Sequence, residues 1–276
     1  MSPSAEDILQ QLDLAASPPL TFDVRQAADK PPRVVRLAQG PRRPGILGFP
    51  ATAPPSGPHQ YVQFAKTFRT VRDVSAISVP GFIGQERVPA TIRVAVEVEA
   101  EAVRRHLDGA SVVLAGYSSG GTLAYGVAHH LENSGVPVAG VVLFDAYPFR
   151  VDQRDVADGR LLTTTQAQED AFFRTMVEDP ELRRYFTPTR LSATAWYGSL
   201  LRSWKLAEVK APTLLVRPEE AMPGVPPASE WKATWPFPHS TVDVPGNHWT
   251  MMLAHADSTA EAVEQWLSST PMTTGK

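Results

Sequence analysis

Seven short apolar runs, rich in valine, isoleucine and leucine and bounded by glycine or proline, constrain the fold of this chain most strongly. Continuous apolar runs of this length are typical of strands buried on both faces of a largely parallel sheet. Consecutive parallel strands need a crossover connection, which is usually a helix. We therefore predict a mostly parallel central sheet flanked by helices, as in three-layer α/β folds. The predicted strands cover residues 33–37, 45–49, 74–79, 111–115, 140–144, 212–216 and 240–244.

Helical patterns fill intervals between these runs, at residues 59–68, 91–107, 123–131 and 258–267. Segment 91–107 also permits a strand, because Val94, Val96 and Val98 alternate with charged residues. Its length and its helical stripe favour a crossover helix instead. The stripe consists of Ile92, Val96, Ala100, Val103 and Leu107.

Two segments lie outside this alternation. Between residues 148 and 210 no strand is evident, and amphipathic pieces at 167–177 and 191–204 carry many aromatic residues. We predict a helical lid insertion over about 150–210; the alternative is the core of a small subdomain, and both hold if the lid packs on the domain. Residues 1–20 contain a short amphipathic helix at 5–15, which either folds back or pairs with a second chain. Residues 21–276 are predicted to form the main domain.

Composition and missing motifs exclude several functions. A net charge of −3 with mixed signs makes nucleic acid and anionic membranes poor partners. Without cysteine the chain has no disulfide, thiolate metal site or cysteine nucleophile, and without a signal peptide or membrane span we expect it to be cytoplasmic. Nucleotide-binding and HExxH motifs are missing, and the adjacent His129 and His130 point apart on a helix, so no metal site is predicted.

Residues 116–120, Gly-Tyr-Ser-Ser-Gly, match the pattern G-x-S-x-G. By composition a match occurs by chance in roughly one chain in ten of this length, and an ordinary Gly-Ser turn is the alternative. Here a predicted strand precedes the motif and a helix follows it, which is the setting of a serine nucleophile at a sharp turn. We therefore predict Ser118 as the nucleophile. The amide of Ser119 opens the helix and is a candidate oxyanion donor.

A serine nucleophile needs a base, and in α/β hydrolases the chain order is serine, acid, histidine. His239, His248 and His255 come late enough, and His248 is favoured because it follows a predicted strand at the ligand-binding edge of the sheet. Asp145 ends a buried strand and is the predicted acid. The alternatives are a helix N-cap role for Asp145 and, as the acid, Asp243.

The loop after strand 45–49 is a candidate for the second oxyanion donor. Thr52 and Ala53 are the candidates, because small residues let the backbone approach a substrate. A plain proline-rich loop is the alternative.

Taken together, these residues resemble the terminal thioesterase domain of modular polyketide synthases, a branch of the α/β-hydrolase superfamily. The resemblance covers most of the chain and is carried by stretches far more specific than the serine motif. They are Ser-Gly-Pro-His at 56–59, Gly-Tyr-Ser-Ser-Gly-Gly at 116–121, Val-Val-Leu-Phe-Asp-Ala-Tyr-Pro at 141–148, Trp-Lys-Ala-Thr-Trp-Pro-Phe at 231–237, Val-Pro-Gly-Asn-His-Trp-Thr-Met-Met at 244–252 and Leu-Ala-His-Ala-Asp at 253–257.

This resemblance implies that an acyl carrier protein delivers a polyketide chain as a phosphopantetheine thioester, with no cofactor of the domain's own. Ser118 would take the acyl group, His248 would be general base and then acid, and Asp145 would orient it. Release would follow by macrolactonisation or by hydrolysis. The lid would form a substrate channel lined by Tyr147 and by Tyr117, which precedes the nucleophile, and N-terminal helices would make a homodimer.

Three positions depart from the family pattern. Tyr117 and Ser119 stand where histidine and alanine are common, and Asn247 stands where aspartate is common. Alternative functions are a stand-alone editing thioesterase, a general carboxylesterase and an inactive hydrolase fold used for binding. The sequence leaves open which polyketide is released and whether water or a substrate hydroxyl attacks.

Overall fold

The computed structural model describes residues 19–27, 31–83, 86–107, 110–148, 178, 180–225 and 231–272. The predicted N-terminal helix at 5–15, with its dimer contact, and the amphipathic piece at 167–177 lie outside these residues. The predictions for residues 1–20 and for the first half of the lid therefore stay predictions.

Nine strands are present in the described part of the chain. Seven of them form one sheet in the order β2-β4-β3-β6-β7-β8-β9, in which only β2 runs antiparallel to its neighbour. All seven strands predicted from the apolar runs are confirmed, with ends shifted by a few residues. The short β1 and β5 pair with each other and were not predicted, because two residues carry no periodicity. The strands are β1 (Thr21–Phe22), β2 (Val34–Ala38), β3 (Arg42–Phe49), β4 (Arg72–Ile77), β5 (Val88–Pro89), β6 (Val112–Tyr117), β7 (Val138–Phe144), β8 (Thr213–Pro218) and β9 (Ser240–Val244).

Helices cover both faces of the sheet. Segment 91–107 is a helix, so the alternative strand interpretation is wrong. The described part of the insertion contains a helix that begins after Thr187, whose side chain accepts a hydrogen bond from the amide of Arg190, with Pro188 in its first turn. The helices are α1 (Val24–Ala27), α2 (Val62–Thr67), α3 (Ile92–Leu107), α4 (Ser119–Asn133), α5 (Pro180–Arg183), α6 (Pro188–Arg202) and α7 (Ala256–Ser269).

Alternate side chains of each buried strand point to opposite faces, which divides the core into two layers. Val112 and Leu114 of β6 pack on the side of α3 and α4, together with Tyr197 of α6. Val113, Ala115 and Tyr117 pack on the side of α2 and α7. The result is the predicted three-layer arrangement.

Strand register brings the functional segments to one edge of the sheet. Tyr117, the last residue of β6, pairs with Phe144, the last residue of β7, and Phe144 pairs with Val216 of β8. Ser118 and Asp145 follow directly, so both leave the sheet at the carboxyl ends of neighbouring parallel strands. Ligands bind at this edge in open α/β sheets.

One of the buried side chains of α3 carries a carboxyl group. Glu99 is 1% exposed, and neither of its side-chain oxygens has a hydrogen-bond partner among the described residues. Burial raises the pKa of Glu99 well above its usual range, because a desolvated carboxylate is unfavourable. Glu99 therefore takes up its proton more readily in the folded protein than in the unfolded chain.

Replacing Glu99 with glutamine should flatten the pH dependence of stability. The folded state holds the Glu99 proton more tightly than the unfolded state, so the free energy of unfolding falls as pH rises above the unfolded carboxyl pKa. The slope is up to about 1.4 kcal/mol per pH unit until the folded pKa is reached. Urea unfolding between pH 5 and 9 measures this. Glu97→Gln, at a partly exposed position paired with Arg93, should keep the wild-type slope; identical slopes in all three proteins would contradict the prediction.

Candidate active site

Ser118 occupies a sharp turn between β6 and α4. Its backbone has φ 56° and ψ −130°, a conformation rare for a residue with a side chain and typical of strained functional sites. Two glycines make the turn possible. A Cβ atom at Gly116 would lie 2.3 Å from the Cα of Gly121, and one at Gly120 would lie 2.4 Å from the carbonyl oxygens of Phe49 and Pro50. The local sequence thus folds into the strand-turn-helix that the motif predicts.

Asp145 and His248 meet at the carboxyl edge of the sheet. The Nδ1 atom of His248 lies 2.6 Å from Oδ2 of Asp145, which is fully buried. His248 follows β9 on a turn in which the Asn247 side chain accepts hydrogen bonds from the amides of Trp249 and Thr250, each 3.0 Å long. This side chain holds the histidine loop. The contact joins the two residues that sequence order selected as acid and base.

Asp243, the alternative acid, has different partners. Its carboxylate pairs with Arg217 at 2.8 Å and with Lys232 at 2.7 Å. Although burial favours the neutral acid, these hydrogen bonds outweigh it and lower the pKa of Asp243. Of the other late histidines, His239 is exposed and His255 precedes α7.

Tyr117, which the resemblance implies as a channel residue, is buried against His248 instead. It is 2% exposed, and its ring stacks on His248 with 5.0 Å between centroids and 24° between planes. Its hydroxyl donates to the backbone carbonyl of His248 at 2.7 Å. Tyr117 packs on the side of the sheet covered by α2 and α7. From there its ring and its hydroxyl both contact His248.

Tyr147 contacts the acid directly. Its hydroxyl lies 3.1 Å from Oδ1 of Asp145 and 2.7 Å from the carbonyl oxygen of Trp231, so one proton serves two acceptors. The Tyr147 side chain is half-buried. The carboxylate of Asp145 is thereby held at both oxygens, by His248 and by Tyr147.

Replacing Tyr147 with phenylalanine should lower kcat for thioester turnover about 10-fold with a smaller change in KM, because Oδ1 of Asp145 loses a donor. Steady-state kinetics on an acyl pantetheine thioester measures this. Tyr185→Phe removes a hydroxyl whose described partner is Arg184 and should stay within about twofold of wild type. An equal loss in both variants would contradict a specific role for Tyr147.

The amides of the loop after β3 differ in their acceptors, and only that of Thr52 reaches the serine turn. The amide of Ala51 donates to Oε1 of the buried Gln60 at 2.9 Å, and the amide of Thr52 donates to Oγ of Ser119 at 2.8 Å. Among the described residues the amide of half-buried Ala53 has no acceptor. Of the two predicted loop donors, Ala53 is therefore the one left for a ligand.

The amide of Ser119 is the other donor predicted from the sequence. Ser119 is the first residue of α4, and the amides of a helix's first turn have no intrahelical acceptor. The sequence predicted this amide but not the role of the Ser119 side chain or of Gln60. The unusual serine beside Ser118 was the available signal.

The arrangement suits acyl transfer. A serine on a strained turn can attack a carbonyl, a histidine held by a buried aspartate can move its proton, and two amides can stabilise an oxyanion. No group of three histidine, aspartate or glutamate side chains suited to a metal ion occurs within the described ranges. None of the helices in the described part of the chain is both long and apolar enough to cross a membrane.

Comparison with known sequences gives a consistent result. The family model for the thioesterase domain matches residues 50–267. The polyketide synthase GfsE of Streptomyces halstedii is 40% identical over 270 residues, which is 96% of this chain and 7% of that protein. Erythronolide synthase EryA3 of Saccharopolyspora erythraea is 36% identical over 234 residues, which is 85% of this chain and again 7% of that protein. The chain thus spans less than a tenth of the length of these relatives.

Solved structures share the α/β-hydrolase fold with this chain. The NocB thioesterase domain from the nocardicin cluster has a TM-score of 0.62 at 19% identity, over 86% of this chain and 99% of that one. The Vlm2 thioesterase domain bound with a dodecadepsipeptide has a TM-score of 0.58 at 21% identity, over 87% and 98%. At sequence identities of 19% and 21%, these structures show that the fold is shared.

Proposed function

The chain belongs to the thioesterase domain family, and from this premise we propose that it releases a polyketide chain from the phosphopantetheine thioester of an acyl carrier protein. The 2.6 Å contact between His248 and Asp145, at the same sheet edge as the strained Ser118, is the observation that carries this proposal. The polyketide synthases among its relatives support the choice of substrate class.

In the first half of the proposed reaction, Ser118 becomes acylated. His248 takes the Oγ proton as Oγ attacks the thioester carbonyl, and the amides of Ser119 and Ala53 stabilise the tetrahedral oxyanion. The carbon–sulfur bond then breaks, and His248 returns the proton to the departing thiol. Asp145 stabilises the imidazolium and fixes its orientation.

In the second half, an oxygen nucleophile releases the chain. His248 takes a proton from a hydroxyl of the acyl chain or from water, whose oxygen attacks the acyl carbon, and then protonates Ser118 as the ester bond breaks. A chain hydroxyl gives a macrolactone, and water gives a free acid. Neither half uses a metal or cofactor of the domain's own.

The test is to incubate the protein with a long hydroxyacyl pantetheine thioester and to measure the masses of the intact protein and of the product by mass spectrometry. We expect an acyl adduct that disappears in Ser118→Ala and remains in Ser134→Ala, an exposed serine at the end of the same helix. A lactone, one water lighter than the acid, would identify cyclising release. No adduct and no turnover in the wild type would overturn the proposal and favour a binding role.

A further inference from the structure

The hydroxyl of Ser119 joins the serine turn to the loop after β3. Its Oγ atom accepts from the amide of Thr52 at 2.8 Å and lies 2.9 Å from the Thr52 hydroxyl. Resting on the proposed function, we propose that Ser119 is a positioning residue that holds the Ala53 amide against the developing oxyanion, in addition to supplying its own amide.

The geometry of the loop explains how a contact at Thr52 acts on Ala53. Because the peptide unit is planar, only the φ and ψ of Thr52 separate its own amide from that of Ala53. Ser119 holds Thr52 at both its amide and its side chain, which restricts these two angles. Gln60 fixes the preceding amide, that of Ala51. The two residues directly before Ala53 are thus each held by a hydrogen bond, Ala51 to Gln60 and Thr52 to Ser119.

Burial makes this anchorage hard to replace. Thr52 is 3% exposed, so its amide and hydroxyl have little access to water if Ser119 is removed. A buried donor left unpaired is unfavourable, and the loop would move to find another acceptor. The amide of Ala53 would move with it, and oxyanion donors act only within a narrow range of distance. An alanine at position 119 has no acceptor to offer.

The position of Ser119 also explains why its effect should appear in the transition state. The Ala53 amide meets an oxygen whose negative charge grows as the tetrahedral intermediate forms, and the ground-state carbonyl carries less charge. A displaced donor therefore lowers kcat while KM stays nearly unchanged. A residue that only helped α4 to fold would alter stability without this separation.

The experiment compares Ser119→Ala, Ser119→Thr and Thr52→Val with the wild type, and uses Ser134→Ala, at the C-cap of α4, as the matched control. Each protein is assayed with the hydroxyacyl pantetheine thioester for kcat and KM. The inhibition constant of a boronic acid bearing the same acyl chain is measured in parallel, because its serine adduct is tetrahedral and anionic. Thermal unfolding reports the folded fraction of each variant.

We expect Ser119→Ala to lower kcat about 10- to 100-fold, to change KM less than about threefold, and to weaken boronate inhibition by a factor similar to that in kcat. Ser119→Thr, which keeps a hydroxyl, should recover most of the loss. Thr52→Val should lose less, because its amide still reaches Ser119. It should add little to Ser119→Ala, since both act on one contact.

A Ser119→Ala protein with wild-type kcat and boronate inhibition, or with kcat and KM changed by equal factors, would overturn the inference. Failure of the wild type to turn over the thioester would contradict the proposed function instead. The boronate comparison between wild type and Ser119→Ala still measures the positioning of the Ala53 amide in that case.

Discussion

Asp145→Asn should lower kcat for thioester turnover about 10⁴-fold, the size seen when the acid of a serine hydrolase triad becomes an amide. The carboxylate of Asp145 accepts the Nδ1 proton of His248, which leaves Nε2 as the basic nitrogen. An asparagine can present an N–H to Nδ1, which favours the tautomer whose Nε2 carries the proton. The histidine then cannot accept the proton of Ser118.

The matched control is Asp243→Asn, which removes a charge of the same kind from the next candidate acid. Its pairs with Arg217 and Lys232 are partly exposed, so the change should cost no more than about 1 kcal/mol of stability and leave kcat within about twofold. Steady-state kinetics and circular dichroism on all three proteins give the comparison. Retention of more than a tenth of wild-type kcat in Asp145→Asn would show that another group orients the base.

Gly120→Ala should lower kcat about 100-fold or more and reduce the free energy of unfolding by about 1–3 kcal/mol. The added Cβ would lie 2.4 Å from two backbone carbonyl oxygens, those of Phe49 and Pro50, so the serine turn and the loop after β3 must separate. Their separation breaks the contact of Thr52 with Ser119 and moves the Ala53 amide, which we propose as an oxyanion donor.

A second glycine provides the control for the added methyl group. At Gly45 in β3 the new Cβ would make only ordinary contacts with Asp73, at 3.5 Å. Gly45→Ala should therefore keep kcat, with a change in unfolding free energy below about 1 kcal/mol. Chemical denaturation and kinetics on the two variants measure both effects. Equal kcat in Gly120→Ala and the wild type would mean that the loop takes no part in catalysis.

The sheet could be predicted from the sequence because a strand buried on both faces produces a continuous apolar run, such as 140–144. Three residues of the candidate site were also predictable, since chain order and strand ends restrict them to one edge of the sheet. Asp145 and His248 are far apart in the chain, yet the carboxyl ends of β7 and β9 bring them together. Their contact follows from topology more than from local sequence.

Side-chain partnerships were harder to predict. Tyr117 shares its strand face with Val113 and Ala115, so the alternation along β6 already directs it away from the α3 and α4 side, where α6 packs. The family resemblance instead suggested a channel position for Tyr117. The contact between Ser119 and Thr52 depends on how two distant loops meet, and no periodicity encodes it. Glu99 lies on a helical face that is otherwise apolar, and a pattern of hydrophobic residues does not reveal an unpaired acid.

The contacts that hold Asp145 are made on the sheet, and the long insertion begins only after it. Asp145 is held on the sheet by its amide, which donates to the carbonyl of Val216 at 2.8 Å, and by its contacts with His248 and Tyr147. The chain between Phe144 and Thr213 leaves one strand and returns to its neighbour. Lengthening such a connection costs only about 0.6 kcal/mol of closure entropy per doubling. The connection after Tyr147 can therefore change in length at little cost in closure entropy, while Asp145 keeps its contacts on the sheet.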